Sequence, residues 1–319
     1  MITIKKQLPL LGGILAVILL LAFPLLGAPH EWTLYLFLFF FYWAMANMWN
    51  LLAGYCGLVS LCQPAFIGIG AYAVVVCTWS GLPFYVGIFA GGIIAAIFAA
   101  LVSVPTFRLK GIFFAIGTMM IPEILRIVFL MWKPINKAGS GGGAGYMIKG
   151  IGSLTDDSLY WMMLIIGIGS FNLIQSILRS KIGLALAAIR DNDVAAASSG
   201  INVNWLKLCI FVISAIATAM AGSVYYLSKG FVQPDSTFNI SWTMQIMIAA
   251  VVGGLGTIEG PALGAILAVV LQFALARSQG LSLLIQGLIL IVILLIAPRG
   301  IIGFFKSKRM KRHFPRISK

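Results

Sequence analysis

The chain has 319 residues, of which 61% are hydrophobic and only 9% charged, with a formal charge of +14. Long continuous apolar runs exclude a β-barrel, whose strands alternate in polarity over about ten residues. Nearly the whole length divides into stretches of about 20 apolar residues, enough to cross a ~30 Å hydrocarbon core. The expectation is an all-α polytopic membrane protein without a separate soluble domain. In a soluble chain the positive charge would suggest nucleic acid. Here eight of the 22 Lys and Arg lie between Arg299 and Lys319, where there is no acid. A basic tail of that kind suits a cytoplasmic end that touches anionic lipid, not a nucleic-acid arm.

Taken in order, Lys5 and Lys6 precede the apolar run Leu10–Gly27, whose 18 residues exceed the usual 7–15 of a signal core. It reads as a first spanning helix with its amino end inside. Further spans are expected at 33–53, 66–80, 84–105, 112–132, 160–177, 207–227, 241–256, 261–277 and 281–297. That gives about ten. The stretches 53–71 and 252–265 are so rich in Gly, Ser and Pro that either could be broken or re-entrant, which widens the range to 8–10. Such breaks persist at membrane depth only where protein buries them or a cavity passes beside them.

The charges set the orientation. Inside segments collect Lys5, Lys6, Arg108, Lys110, Arg179, Lys181, Arg190, Lys207 and the tail, whereas outside segments hold Lys133, Lys137, Lys149, Lys229 and Arg277. The asymmetry places both termini in the cytoplasm. The expected organisation is one transmembrane domain, 1–297, followed by a basic cytoplasmic tail, 298–319. The outer connection 133–160 contains AGSGGGAG (138–145) and reads as a flexible linker.

Between two spans lies an island too polar for lipid, Ser180–Asn204. Ile182, Leu184, Ala185 and Ile189 recur at roughly helical spacing, and Arg190, Asp191, Asn192 and Asp193 form a polar knot. Asp191 or Asn192 can cap a second short helix that Gly200 ends. This predicts a helix, a capped corner and another helix at the membrane surface, suited to touching a soluble partner.

Two segments also match without gaps at an offset of 197: GLVSLCQPAF (57–66) lies over GLGTIEGPAL (254–263). Paired Gly/Pro-interrupted segments in corresponding halves point to a transport path. The orientation above makes the repeat parallel.

Enzyme chemistry finds no support. The two histidines, His30 and His313, stand near the ends, and there is no HExxH, GxSxG or GxxxxGK[ST] motif. No catalytic residue, metal site or cofactor is expected. Cys56, Cys62, Cys77 and Cys209 read as small buried hydrophobes. Glu123 and Arg126 share one face of the span 112–132, either as a structural ion pair or as part of a path. The other acids fall in predicted loops, against a proton relay. Asn47, Asn50, Ser60, Gln63, Thr118, Gln245 and Gln272 could line a hydrophilic route or join helices by hydrogen bonds, the commoner use.

Four stretches carry a family resemblance: LLAGYCGLVSLCQPAFIGIGAYA (51–73), RLKGIFFAIGTMM (108–120), SKIGLALAAIRDNDVAAASSGINV (180–203) and VVGGLGTIEGPALGA (251–265). The chain resembles the M-type permease subunits of bacterial ABC importers for branched-chain amino acids, with urea and amide permeases related. Cys62 and Gln63 depart from the family's more usual Gly and His. The resemblance implies a multi-pass protein of the cytoplasmic (inner) membrane that is not itself an ATPase. Its partners would be a second permease subunit in a heterodimer, two ATP-binding subunits carrying the ATP, and an extracytoplasmic solute-binding protein. The island would be the coupling segment, with Ile182, Gly183, Arg190, Asp191, Asn192, Asp193 and Gly200 its contact residues. The path would use Ser60, Gln63, Pro64, Phe66, Glu123, Arg126, Gly254, Gly256, Gly260 and Pro261. The alternatives are urea or short amides as cargo, or a self-sufficient secondary transporter or channel.

Overall fold

The computed structural model describes residues 19–26, 29–132 and 142–274, with scattered positions between 284 and 302. The expected spans 10–27 and 281–297 and the basic tail fall wholly or largely outside the described residues.

The helices follow the apolar runs closely. They are α1 (His30–Asn50), α2 (Gln63–Trp79), α3 (Phe84–Thr106), α4 (Ile112–Met131), α5 (Asp156–Arg179), α6 (Lys181–Asp191) and α7 (Asp193–Ser198), then α8 (Val203–Lys229), α9 (Pro234–Thr237), α10 (Ser241–Gly254) and α11 (Gly260–Ala274). Five described helices are long and apolar enough to cross a membrane, and α2 and α11 are shorter apolar helices. α1 runs on through a π-helical turn, Leu51–Tyr55. The chain is therefore a mostly helical multi-pass membrane protein.

Two helices organise the bundle. α8 packs along α2 and α3, while α1 is enclosed by α5, α10 and α11. Beyond its exposed first turns α1 is mostly apolar round its circumference, as suits a helix enclosed by others, and Phe37, Phe40, Phe41, Met45 and Trp49 are all buried. Where helices cross, small residues let the backbones touch, the usual solution where lipid supplies no hydrophobic drive between helices. A Cβ on Gly222 of α8 would lie 2.7 Å from the Ile67 Cα of α2. A Cβ on Gly264 of α11 would overlap the Ala249 carbonyl of α10.

The uncharged polar residues mostly act as joints. The Tyr42 hydroxyl sits between the side chains of Gln245 and Gln272. Leu61 N–H donates to Thr118 Oγ1 (3.0 Å), and Asn47 reaches Ser170 at 3.5 Å. Gln63 is the exception: it is fully buried, and neither amide atom has a partner among the described residues.

The outer connection corrects the reading of a plain linker. In its described part, Gly142–Ala144 form a 3-10 turn and β1 (Tyr146–Met147) pairs antiparallel with β2 (Phe231–Val232). Gly145 is required there, because a Cβ would lie 2.6 Å from the Val232 carbonyl oxygen. Gly145 thus serves close approach between two connections.

The island is built as its capping residues dictate. Ser180 caps α6, accepting from Ile182 N–H at 3.1 Å. Of the two candidates for the corner it is Asn192 that caps α7, its Oδ1 accepting from Val194 N–H (2.9 Å) and Ala195 N–H (3.2 Å). Gly200 follows with φ +85°, which an L side chain resists. Asn192→Ala should remove about 1 kcal/mol of local stability. Amide exchange at Val194–Ala197 is expected to speed up severalfold while the spans stay protected, and unchanged exchange there would count against the cap.

Candidate functional site: a junction between the island and two glycine breaks

The two repeat segments adopt the same local form. Each follows the end of a helix, contains a positive-φ glycine, and leads into a helix whose second residue is proline: Gly57 and Pro64 in one, Gly256 and Pro261 in the other. Proline is tolerated there because the first helical N–H groups have no intrahelical acceptor to lose. Thr257 closes the second break, donating to the Gly254 carbonyl (2.7 Å) and accepting from Gly260 N–H (3.1 Å).

The breaks meet each other. Asn50, at the end of α1, uses both arms of its amide: Nδ2 donates to the Thr257 carbonyl at 2.9 Å, and Oδ1 accepts from Gly256 N–H at 2.7 Å. The approach is so close that a Cβ on Gly54 would lie 2.6 Å from Gly256 N. Nearby, Trp49 Nε1 donates to the Ser60 carbonyl (2.9 Å), and Ser60 Oγ contacts Cys62 Sγ (3.0 Å). Helix ends this deep have orphan polar groups, and Asn50 and Trp49 satisfy several of them.

The island's hydrogen bond to this junction comes from Arg190. Arg190 Nη1 donates to the Gly54 carbonyl at 3.1 Å, and the Arg190 backbone lies where a Cβ on Gly57 would touch it at 3.5 Å. Its guanidinium also approaches Asp191 at 3.4 Å. Lys207 at the start of α8 pairs with Asp193, which ties α7 to the bundle. A cleft of about 870 Å³ opens beside them, lined by Gly57, Val59, Lys110, Asp193, Val194 and Lys207 among others.

The expected coupling residues divide. Arg190 and Asp193 touch the bundle, and Asn192 acts as a cap. Ile182 is exposed. Gly183 has a packing reason, since a Cβ would collide with Leu178 where α6 folds back on α5. α6 buries Leu186 and Ile189 against the bundle and leaves Leu184 77% exposed, with Val194 of α7 at 72%. The helical spacing of Ile182, Leu184, Ala185 and Ile189 did not separate exposed Leu184 from buried Ile189, and it did not single out Val194. A large apolar residue in a segment too polar for lipid was the available signal.

The expected path residues also divide. Ser60, Gln63, Pro64, Phe66, Gly254, Gly260 and Pro261 are buried at or beside the junction, with Gly256 partly buried. Phe66 packs edge-on against Phe211 of α8, at 5.6 Å between ring centroids. Glu123 and Arg126 lie elsewhere on α4, near its end remote from the island. They pair as the i,i+3 spacing suggested, with Arg126 Nε donating to Glu123 at 3.0 and 3.1 Å. The structure adds a third member: Asp235 of α9 accepts from Arg126 Nη1 at 2.6 Å.

Asn50→Ala would leave Gly256 N–H and the Thr257 carbonyl without partners, at a cost of about 2 kcal/mol. A melting temperature lower by several degrees in detergent is the expected result. An unchanged one would mean that water replaces the clasp.

A bundle of apolar helices with glycine breaks at its interior and a polar helical island at one end defines a membrane permease. Residues 32–294 match the family described as branched-chain amino acid transport system / permease component. The chain belongs to that family. It is 28% identical over 279 residues to the Escherichia coli high-affinity branched-chain amino acid transport system permease protein LivM, covering 79% of this chain and 65% of that protein. That is less than two thirds of the relative's length. It is 30% identical over 166 residues to BraD of Pseudomonas aeruginosa, covering 50% of this chain and 53% of the relative. With LivH of Salmonella typhimurium it shares 30% over 126 residues, 39% of this chain and 40% of that one. No solved structure matches.

Proposed function

We propose that this chain is a permease subunit of an ABC importer for branched-chain amino acids in a bacterial cytoplasmic membrane. In this reading it forms part of the path as a single permease domain and hydrolyses nothing itself. A second permease subunit completes the path, an extracytoplasmic binding protein delivers cargo, and two ATPase subunits bind ATP at the island side. The chain crosses about ten times with both termini in the cytoplasm, and the tail from residue 298 meets anionic lipid.

The observation that carries the reading is the Arg190–Gly54 hydrogen bond. It links the island, whose two helices expose Ile182, Leu184 and Val194, to the point where both glycine breaks meet. An ATPase that gripped the exposed face differently in its ATP-bound and ATP-free forms would bias that junction, and only such differential contact can shift a conformational equilibrium. Its charged residues would set the orientation of docking more than its affinity.

Gentle purification from the native membrane tests the assembly. A second permease and ATPase chains in stoichiometric amount are expected. A chain that purifies alone and still moves solute in liposomes would overturn the proposal.

A further inference from the structure

α4 is largely unenclosed, with exposed apolar side chains from Ile112 to Met131. On it, within the span, Glu123 is 50% and Arg126 31% exposed at the side chain. Charges at such a position do not face hydrocarbon; they face water or protein. Asp235 joins them from the α8–α10 connection and is 53% exposed. The cluster has two carboxylates and one guanidinium, hence one negative charge in excess. Arg126 is committed on both sides: Nε and Nη2 donate to Glu123, and Nη1 to Asp235. Asp235 Oδ2 has no hydrogen-bond partner among the described residues. Beside the cluster is a cavity of about 360 Å³, whose other walls include Met119, Met120, Phe238 and Ile240.

The geometry points to a site for the α-ammonium group of a small neutral amino acid at the end of the path remote from the island. Asp235 Oδ2, with Glu123 behind it, accepts the ammonium. The methionines and Phe238 receive the aliphatic side chain, with thioethers that adapt to differently branched shapes. Nη1 and Nη2 of Arg126 each keep one N–H that the two acids do not take, and these can meet the ligand's carboxylate. With two carboxylates on one guanidinium, the site selects first by the amine and the apolar chain. Charge-assisted hydrogen bonds of this type are about twice as strong as neutral ones.

This inference rests on the proposed reading, and one preparation tests both. In the purified complex without delivery protein, bound radiolabelled leucine should be displaced by leucinol, which keeps the ammonium and lacks the carboxylate. 2-Hydroxy-4-methylpentanoate, which lacks the ammonium, should compete at least about tenfold less well. Asp235→Asn and, separately, Glu123→Gln should weaken leucine binding about tenfold in complexes that still co-purify. Equal competition by the hydroxy acid, no leucine binding, or unchanged affinity in both variants would overturn the site. If ATP-driven leucine uptake persists in the same complex after such a result, only the site is lost. If that uptake is absent as well, the importer reading falls with it.

Discussion

Arg190→Glu should abolish coupling while leaving the chain inserted and assembled. The substitution removes the donor that reaches the Gly54 carbonyl and sets a carboxylate against that oxygen and against Asp191. It also places negative charge in the last turn of α6, where the helix dipole favours a cation, at a cost of about 0.3–1 kcal/mol. Adding the lost hydrogen bond, the local cost is about 2 kcal/mol, too small to unfold a bundle held by buried helix crossings. The island would thus lose its hydrogen bond to the glycine breaks while Leu186, Ile189 and the Asp193–Lys207 pair keep it on the bundle. Uptake is expected to drop at least about tenfold, and ATPase activity in the assembled complex should no longer respond to loaded binding protein. Arg190→Lys, which keeps charge and one donor direction but not the planar fork, should fall between. Normal stimulation of the ATPase in Arg190→Glu would show that the island is not held to the junction by this contact.

Gly264→Val should prevent accumulation of folded protein. α10 and α11 face each other through glycine, with Gly253 against the Gly260 carbonyl and Gly264 against the Ala249 carbonyl. A β-branched side chain has nowhere to rotate, so the helices must separate. The separation would propagate to Gly256 and Thr257, which the Asn50 clasp holds beside α1. Overpacking commonly costs 1–3 kcal/mol, and a backbone-to-backbone collision belongs at or above the top of that range. A drop of at least about fivefold in the detergent-stable fraction is expected. Leu263→Ala, at a neighbouring position that is 43% exposed, should leave it unchanged. Equal recovery of Gly264→Val and the parent chain would contradict this account of the crossing.

Much of the fold was legible because lipid leaves few choices. An apolar run of sufficient length must be a helix, so 84–105 became Phe84–Thr106 and 207–227 became Val203–Lys229. The capped corner was equally local: an Asn followed by small helix formers and a terminal Gly. The repeat was visible as a pattern, but its meeting was not, since Asn50 reaches Gly256 across 206 positions. The same holds for Asp235, which lies 109 positions from Arg126 in a connection with no periodic signal. The π-helical turn Leu51–Tyr55 leaves no mark in composition. It is set by where α1 must end, which tertiary contacts decide. Gly145 of the outer connection was read as linker for the same reason, because the strand it approaches, β2, comes much later in the chain.

The most direct test of the central claim is leucine uptake into liposomes holding the purified complex and its loaded binding protein, with ATP and ion gradients varied independently. The account predicts uptake that requires ATP on the island side and continues when every ion gradient is collapsed. Uptake that survives removal of ATP while an ion gradient is held would contradict it.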